Sequence, residues 1–272
     1  MRAFHTKIAP IITLRLLAAF VGIICFTASS QAQAIEKIHP FMPGEKLTFE
    51  VKWCFIPAGT AILQILPMKW INGVQAYHFV MTTRTYPFVD LFYKVRDRID
   101  AYADASMTHS LLYKNKKEGK SRKDVVVHFD WLKHTAHYSN FGEQSNPIRI
   151  KPGSFDPLSV FYALRLHRLS ENSDIQAHVT DGKRCVTGKL KIIRRETVKV
   201  ASGTYDTLLA EPELRHIRGV FKKSKNAKLQ IWVSADRRQI PVKIRSKVSV
   251  GSFVAELISA ENLSPAPIAG TK

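Results

Sequence analysis

Many segments of the sequence alternate apolar and polar residues, and this pattern constrains the fold more than any other feature. Between Leu47 and Trp53, every odd position is apolar and every even position is polar. A two-residue period is typical of a β-strand with one solvent-exposed face. The dipeptide Asn72-Gly73 then predicts a tight hairpin turn, because both residues tolerate positive φ. The chain therefore begins as an antiparallel meander.

Strand-like segments continue almost to the end of the chain. They cover residues 58–66, 75–83, 97–103, 111–117, 122–131, 135–139, 175–180, 184–200, 205–214, 229–233, 242–248 and 253–260. So many strands in series would leave unpaired edges and an uncovered apolar face in a flat open sheet. We therefore predict a mainly β fold, with a single large antiparallel curved sheet that is barrel-like or a β-spiral. A β-sandwich is the alternative architecture.

One segment near the middle of the chain interrupts the strand pattern. Asp156 supplies a capping carboxylate, and Pro157 suits the first position of a helix. The apolar residues from Leu158 to Leu169 then follow with helical spacing. We predict a helix of about three turns here, packed at the mouth of the sheet or in its concavity. A second short helix is predicted around residues 87–94.

The first 34 residues are typical of a secretory signal peptide. Arg2, Lys7 and Arg15 make the start basic, the run Leu16–Phe26 is uncharged and apolar, and small residues precede a cleavage site after Ala34. This apolar run is too short to cross a bilayer, which needs about 20 residues. The predicted parts are a signal peptide at 1–34, a β-rich periplasmic domain at 35–263 and a disordered tail at 264–272.

The charge of the exported chain predicts its class of partner. Without the three cations of the leader, 38 Lys and Arg stand against 22 Asp and Glu, a net charge of +16. Such a field attracts polyanions. Outside the cytoplasm these are lipopolysaccharide, anionic lipid head groups and acidic wall polymers, so we expect no nucleic-acid partner and allow for peripheral membrane contact.

A cluster of cations falls on a predicted hairpin, where it would place positive charge at one tip. Aromatic residues cluster around Pro87 and around the predicted helix start; they either fill the interior of the curved sheet or line a pocket for an acyl chain. The candidate ligand-binding residues are Lys114, Lys116, Lys117, Lys120, Arg122, Lys123, Tyr86, Phe92, Tyr93 and Tyr162.

Other chemistry finds little support in the sequence. Cys54 and Cys185 can pair as a disulfide in an oxidising compartment, or they can remain two separate thiols. No Cys/His spacing indicates a metal site, and no GxSxG turn indicates a nucleophilic serine. We therefore nominate no catalytic residue, no metal ligand and no cofactor.

Several motifs together resemble the bacterial envelope family known as domain-of-unknown-function family 3108. The residues that carry the resemblance are Gly44, Glu45, Trp53, Gly59, Asp156, Pro157, Ser159, Tyr162, Arg165, Trp232, Asp236 and Pro241. The resemblance implies an exported, β-rich envelope protein without a settled biochemical activity. Structural roles explain these residues best: Gly59, for example, suits a bulge or a close strand approach, and Asp236 suits a turn cap.

The leading functional hypothesis is a non-enzymatic periplasmic protein of the cell envelope. It would bind an amphiphilic anionic ligand, such as a lipid or lipopolysaccharide component, or a cell-wall-associated partner. The alternative is an interaction or structural module that contacts envelope proteins through a sheet edge or through the helix at Asp156. An envelope hydrolase is the third hypothesis.

Overall fold

A single antiparallel sheet contains almost all the regular structure in the part of the chain that the structure describes. The computed structural model describes residues 39–119, 122–213, 228–248 and 251–265, and the predicted signal peptide lies outside these ranges. Within them, fifteen strands join in one sheet, accompanied by two short helices. No helix in the described ranges is long and apolar enough to cross a bilayer.

The strand bounds follow the alternating segments of the sequence within a few residues. The strands are β1 (Lys46–Trp53), β2 (Ile56–Ile71), β3 (Val74–Thr85), β4 (Val95–Asp104), β5 (Ser110–Gly119), β6 (Lys123–Asp130), β7 (Thr135–Asn140), β8 (Glu143–Gln144), β9 (Ile148–Arg149), β10 (Ser173–Thr180), β11 (Cys185–Val200), β12 (Gly203–Pro212), β13 (Lys228–Ser234), β14 (Pro241–Val248) and β15 (Gly251–Glu261). The helices are α1 (Pro87–Asp90) and α2 (Ser159–Leu164).

The order of the strands places the first strand in the middle of the sheet. The path runs β10-β11-β12-β13-β14-β15-β1-β2-β3-β4-β5-β6-β7-β8, and β9 pairs with β7. All neighbours along this path are consecutive in sequence except β15 and β1, which pair from Lys46↔Glu261 to Trp53↔Phe253. The predicted meander is therefore confirmed, and the pairing of β1 with β15 joins its two halves.

The segment that follows β9 connects the two outer regions of the sheet. Ile150 N donates to His134 O (2.9 Å), and five residues later Phe155 N donates to His178 O (2.8 Å) on β10. In addition, the turn between β10 and β11 brings Gly182 against the side chain of Val127 on β6. The sheet thus curls toward itself, which confirms the curved, barrel-like architecture and excludes the sandwich.

Helix α2 packs on one face of the sheet, here called the inner face. Tyr162 of α2 stacks on Phe79 of β3, with ring centroids 3.9 Å apart. Alternate residues of β1, among them Leu47 and Phe49, are buried in the same cluster. The two-residue period of the sequence therefore reflects burial against α2, and the position of the helix in the concavity agrees with the prediction.

Helix α2 is shorter than predicted. The helix begins at Ser159 and ends at Leu164. Its first backbone bond runs from Val160 N to Asp156 O (3.1 Å). After Leu164 the chain continues in tight turns, in which Leu166 N donates to Ala163 O (3.1 Å) and His167 N donates to Leu164 O (3.2 Å). Gln239 Nε2 then donates to the carbonyls of Arg165 (3.3 Å) and His167 (2.8 Å). These bonds hold the segment that follows α2 to the turn between β13 and β14.

Two further expectations concern the cysteines and the end of the chain. Of the two alternatives for Cys54 and Cys185, the structure has separate thiols: Cys54 is exposed next to Gly251, whereas Cys185 Sγ lies 3.4 Å from Ser154 Oγ. Ser264, the first residue of the predicted tail, is buried. Residues 266–272 lie outside the described ranges.

Gly59 combines a bulge with a close strand approach, as its place among the motifs predicted. The register of β1 and β2 shifts between Val51 and Lys52, and a Cβ atom built on Gly59 would lie 2.3 Å from Arg84 O on β3.

We expect the G59A variant to lose about 1–3 kcal/mol of unfolding free energy, because the backbone of β3 must move. Urea unfolding measures this loss. The G188A variant is the control, since a Cβ there meets nothing closer than 3.8 Å; equal midpoints for the two variants would contradict the explanation.

Candidate ligand-binding site

Helix α2 divides the space above the inner face of the sheet into a filled part and an open part. On the filled side, Tyr162 packs between Phe79 and Phe41, with ring centroids at 3.9 Å and 5.5 Å, and is fully buried. Burial also raises the pKa of the Tyr162 hydroxyl. The selection of Tyr162 as a ligand residue is therefore wrong, because this ring is part of the core.

A buried ion pair fixes the C-terminal end of α2 to the sheet. Arg165 Nη1 donates to Glu45 Oε1 (2.6 Å), and Nη2 donates to Glu45 Oε2 (2.9 Å). Arg165 also donates to the carbonyls of Pro40 (3.3 Å) and Arg238 (2.9 Å). A bidentate pair of this kind restricts both position and orientation. It therefore ties α2 to the start of β1 and to the turn between β13 and β14.

A buried carboxylate fixes the N-terminal end of the same helix. Asp156 Oδ1 accepts from the backbone N–H groups of Leu158 (2.8 Å) and Ser159 (2.9 Å), and Oδ2 accepts from Ser110 Oγ (2.6 Å). The carboxylate is completely buried, and this burial raises its pKa despite the hydrogen bonds. Asp156 thus acts as the predicted cap and also connects α2 to β5.

The other side of α2 faces an apolar cavity of about 500 Å³. The helix contributes one wall with Val160, Phe161 and Leu164, and the inner face of β10–β13 contributes the opposite wall. The sheet residues of that wall are Ile175, Ala177, Val179, Val186, Gly188, Leu190, Ala210, Pro212, Leu229, Ile231 and Val233. This volume and lining are typical of small-molecule sites, which measure about 300–1,000 Å³ and are mostly apolar.

A few polar groups border this apolar cavity. Arg184 and Lys189 contribute cations, whereas Asp181 and Glu213 contribute carboxylates. Gln239 is buried against the cavity, and among the described residues its Oε1 atom has no hydrogen-bond partner. Its Nε2 atom donates to two carbonyls, so the side-chain amide is held in one orientation at the edge of the cavity.

The sequence-predicted ligand residues lie elsewhere. The structure places Tyr86, Phe92, Tyr93, Lys116, Lys117, Arg122 and Lys123 in or beside neighbouring turns at one end of the sheet. Lys114 lies farther along β5, opposite Val126, and Lys120 lies outside the described residues. None of these residues lines the cavity. Two of the cations are paired: Lys116 with Glu118 (2.9 Å) and Lys117 with Asp97 (3.0 Å).

The cavity was missed because its residues have the same pattern as a core strand. Ile175, Ala177 and Val179 alternate along β10 in the way that Leu47 and Phe49 alternate along β1. The position of α2 decides whether the inner-face side chains of a strand are covered or line the cavity. In the described ranges, no group of three His, Cys, Asp or Glu side chains is arranged to hold a metal ion.

Comparison with known protein families identifies the family of this chain. A family model described as protein of unknown function (DUF3108) matches residues 48–258. The chain belongs to the DUF3108 family. No curated protein sequence gives a significant match.

One solved structure supports the fold of this DUF3108 protein. A β-barrel-like protein of domain of unknown function DUF1849 from Brucella abortus is similar with a TM-score of 0.52 and 10% identity, over 82% of this chain and 98% of that one. A candidate lipoprotein from Parabacteroides distasonis gives a TM-score of 0.35 at 11% identity, over 82% and 97% of the two chains. A candidate exported protein from Bacteroides fragilis gives 0.31 at 8% identity, over 82% and 98%. The first of these likenesses bears on the fold alone.

The motif residues of this DUF3108 chain have structural roles. Glu45, Asp156, Tyr162 and Arg165 hold α2, as described above. In the turn after β13, Asp236 Oδ1 accepts from Ser234 Oγ (2.7 Å), and Ile240 N donates to that hydroxyl (3.0 Å). Trp232 Nε1 donates to Glu196 Oε1 (2.6 Å). Pro241 pairs with Val233 of β13, and Trp53 packs against Gly251.

The ion pair generates a prediction about stability. Replacing Arg165 with Leu leaves the Glu45 carboxylate buried without its cation, so we expect a loss of about 3–5 kcal/mol of unfolding free energy. The double variant R165L/E45L should lose less than R165L, because no charge remains buried. The exposed pair Lys46–Glu261 offers the control, and K46A should cost at most about 1 kcal/mol. Urea unfolding of all variants checks the series; a K46A loss as large as that of R165L would contradict it.

The raised pKa of Asp156 predicts a pH dependence. The unfolded chain ionises this group near pH 3.9, whereas the folded chain holds the proton to higher pH. The contribution of Asp156 to stability is therefore complete below about pH 4 and decreases as the pH rises through the folded-state pKa. Urea unfolding from pH 4 to pH 7 measures the unfolding free energy of the wild type minus that of D156N. This difference should fall as the pH rises. A difference that stays constant or rises would refute the assignment.

Proposed function

We propose that this DUF3108 protein is an exported, non-enzymatic envelope protein that binds an amphiphilic molecule, with the apolar chain of the ligand in the cavity beside α2. The observation that carries the proposal is the cavity itself: about 500 Å³ between α2 and β10–β13, with a predominantly apolar wall. The sequence adds a leader typical of export and a net charge of +16 for the exported part. Together they favour an envelope lipid or lipopolysaccharide component as the ligand.

The energetics of the cavity favour a long chain. Each methylene moved out of water contributes about 0.8 kcal/mol. Loss of translational and rotational freedom on binding costs about 4 kcal/mol or more, so a chain of fewer than about five methylenes gains nothing in net terms. Short organic acids are therefore poor ligands, and acyl chains of lipid length are good ones.

The polar border of the cavity suits the head group of such a ligand. Arg184 can approach phosphate or carboxylate oxygens, whereas Lys189 forms an ion pair with Asp174. Asp181 and Glu213 keep the border from being uniformly positive. Recognition of the head group would therefore depend on individual contacts as well as on overall charge.

The two other hypotheses are less well supported. A module that docks a partner through α2 would need an accessible helix surface, but Ser159, Tyr162 and Ala163 are buried. A hydrolase would need an activated nucleophile. Ser154 instead donates to Lys151 O (2.6 Å), which is a structural contact at a turn.

The G188F variant tests the proposal by filling the cavity. Gly188 lines the wall, and an added Cβ meets only ordinary contacts, so a phenyl group can enter the space without forcing the backbone. The probe is palmitoyl lysophosphatidylglycerol, whose binding is followed by titration calorimetry with the purified mature protein. We expect the affinity of G188F to fall at least tenfold, which corresponds to the loss of about two methylenes of burial.

The G188A variant is the matched control, because it removes the same glycine but leaves the cavity open. It should bind the probe like the wild type. Mass spectrometry of organic extracts from wild-type protein should also find an acyl-chain compound that G188F lacks. A wild type that neither binds the probe nor retains such a compound, or a G188F variant that binds normally, would refute the proposal.

A further inference from the structure

A second feature, separate from the cavity, lies at one end of the sheet. Alternate turns of an antiparallel sheet lie at the same end, so the turns β14–β15, β1–β2, β3–β4 and β5–β6 are neighbours. Their contacts confirm this: Trp53 pairs with Phe253, Tyr86 N donates to Ala58 O (3.0 Å), and Gly119 pairs with Val95. We name this region the tip surface; its apolar members are Trp53, Phe55, Ile56, Phe88, Leu91, Phe92, Tyr93 and Phe253.

The apolar side chains of the tip surface protrude into solvent. Phe55 is 94% exposed, Phe92 is 84% exposed and Leu91 is 80% exposed. Single exposed apolar residues are ordinary, but a contiguous group marks a surface that contacts another molecule or a membrane. Because these three side chains make almost no contact with the protein, packing within the fold does not explain their presence.

The turns that carry these side chains are held in place by hydrogen bonds. Arg96 forms an ion pair with Asp90 of α1, and its Nη1 also donates to Thr85 O (3.3 Å). Val95 N donates to Thr85 Oγ1 (2.9 Å) across the base of the same loop. In the neighbouring turn, Cys54 N donates to Ser252 O (2.7 Å). The scaffold therefore presents the apolar side chains in a fixed arrangement, which lowers the entropy cost of docking.

Cations border the apolar side chains. Lys94 follows Tyr93 directly and is exposed, and Arg84 is exposed at the end of β3. Arg122 is exposed in the neighbouring β5–β6 turn, and Lys123 is exposed at the start of β6. Aromatic and Leu side chains that enter the acyl boundary, bordered by cations that meet anionic head groups, are the combination used by proteins that bind membrane surfaces.

We propose that the tip surface docks on an anionic phospholipid bilayer. The side chains of Phe55, Leu91 and Phe92 enter the interfacial region, and the bordering Lys and Arg side chains contact lipid phosphates. A bilayer fits better than a protein partner, because apolar side chains that protrude from several turns find no complementary pockets on a flat surface but dissolve readily in lipid. The proposal concerns a different surface from the cavity and does not depend on a ligand bound there.

Vesicle co-sedimentation tests the proposal with the mature protein. The vesicles contain either phosphatidylcholine alone or phosphatidylcholine with about 30% phosphatidylglycerol. The anionic lipid gives the second kind of vesicle a negative surface potential. Wild-type protein should bind the anionic vesicles, and binding should weaken at 1 M salt, where the Debye length falls to about 3 Å. The L91S/F92S variant should bind at least tenfold more weakly, since about two large apolar side chains no longer enter the lipid.

The opposite end of the sheet offers a matched control. Trp70 in β2 and Leu132 in the β6–β7 turn are also strongly exposed, at 72% and 98%. The W70S/L132S variant removes as much exposed apolar surface and should bind vesicles like the wild type. Neutralisation of Lys94, Arg122 or Lys123 with Gln should weaken binding about fivefold per cation on anionic vesicles.

Three results would overturn the proposal. They are a wild type that does not sediment with anionic vesicles, an L91S/F92S variant that binds like the wild type, and a W70S/L132S variant that loses as much binding as the tip variant. The test is distinguishable from that of the cavity, because G188F should still sediment with vesicles and L91S/F92S should still bind the lysolipid probe below its micelle concentration. A protein partner on the tip surface would give the first of these three results.

Discussion

The position of α2 on the inner face of the sheet is the constraint on which the rest of the structure depends. The bidentate pair between Arg165 and Glu45 holds one end of the helix, and the Asp156 carboxylate holds the other. Both anchors are buried, so each would be costly if its partners were absent. Their partners are Glu45 just before β1, Ser110 in β5 and Arg238 in the turn after β13, which are far apart in sequence. The helix can therefore settle only when the sheet has curled.

Two consequences follow from a helix fixed in this way. On one side, the stacked rings of Tyr162 and Phe79 fill the concavity, as expected for a small curved sheet. On the other side, an apolar cavity lies between α2 and β10–β13, and the small side chains Ala177 and Gly188 of its wall do not fill it. The same helix therefore completes the core on one side and forms a wall of the cavity on the other.

Local patterns of the sequence predicted the sheet well, but the site depends on contacts that no local pattern contains. Alternation and turn residues act within a few positions, and for this reason the strands, the hairpin at Asn72-Gly73 and the capping role of Asp156 were predicted correctly. The length of α2 was not, because the segment that follows it is held by Gln239, more than 70 residues away. Tyr162 was misassigned for a similar reason: an aromatic residue at a helix start looks the same whether it fills a core or lines a pocket. The free thiols of Cys54 and Cys185 likewise follow from the arrangement of the strands, which a count of cysteines does not reveal.

The net positive charge of the chain does not by itself mark a functional surface, because many cations on the strands have carboxylate partners. Lys52 and Lys243, for example, both contact Glu256 across neighbouring strands (2.9 Å and 2.7 Å). A run of lysines in a turn is commonly a solvated tip, and a single exposed Phe is equally common. The tip surface differs because both features occur on the same neighbouring turns, with Phe92 and Lys94 on one loop and Arg122 on the next. An apolar group that enters lipid and a cation that meets a phosphate stabilise the same docked orientation. Their contributions therefore add, whereas on separate surfaces they would compete for different orientations of the protein.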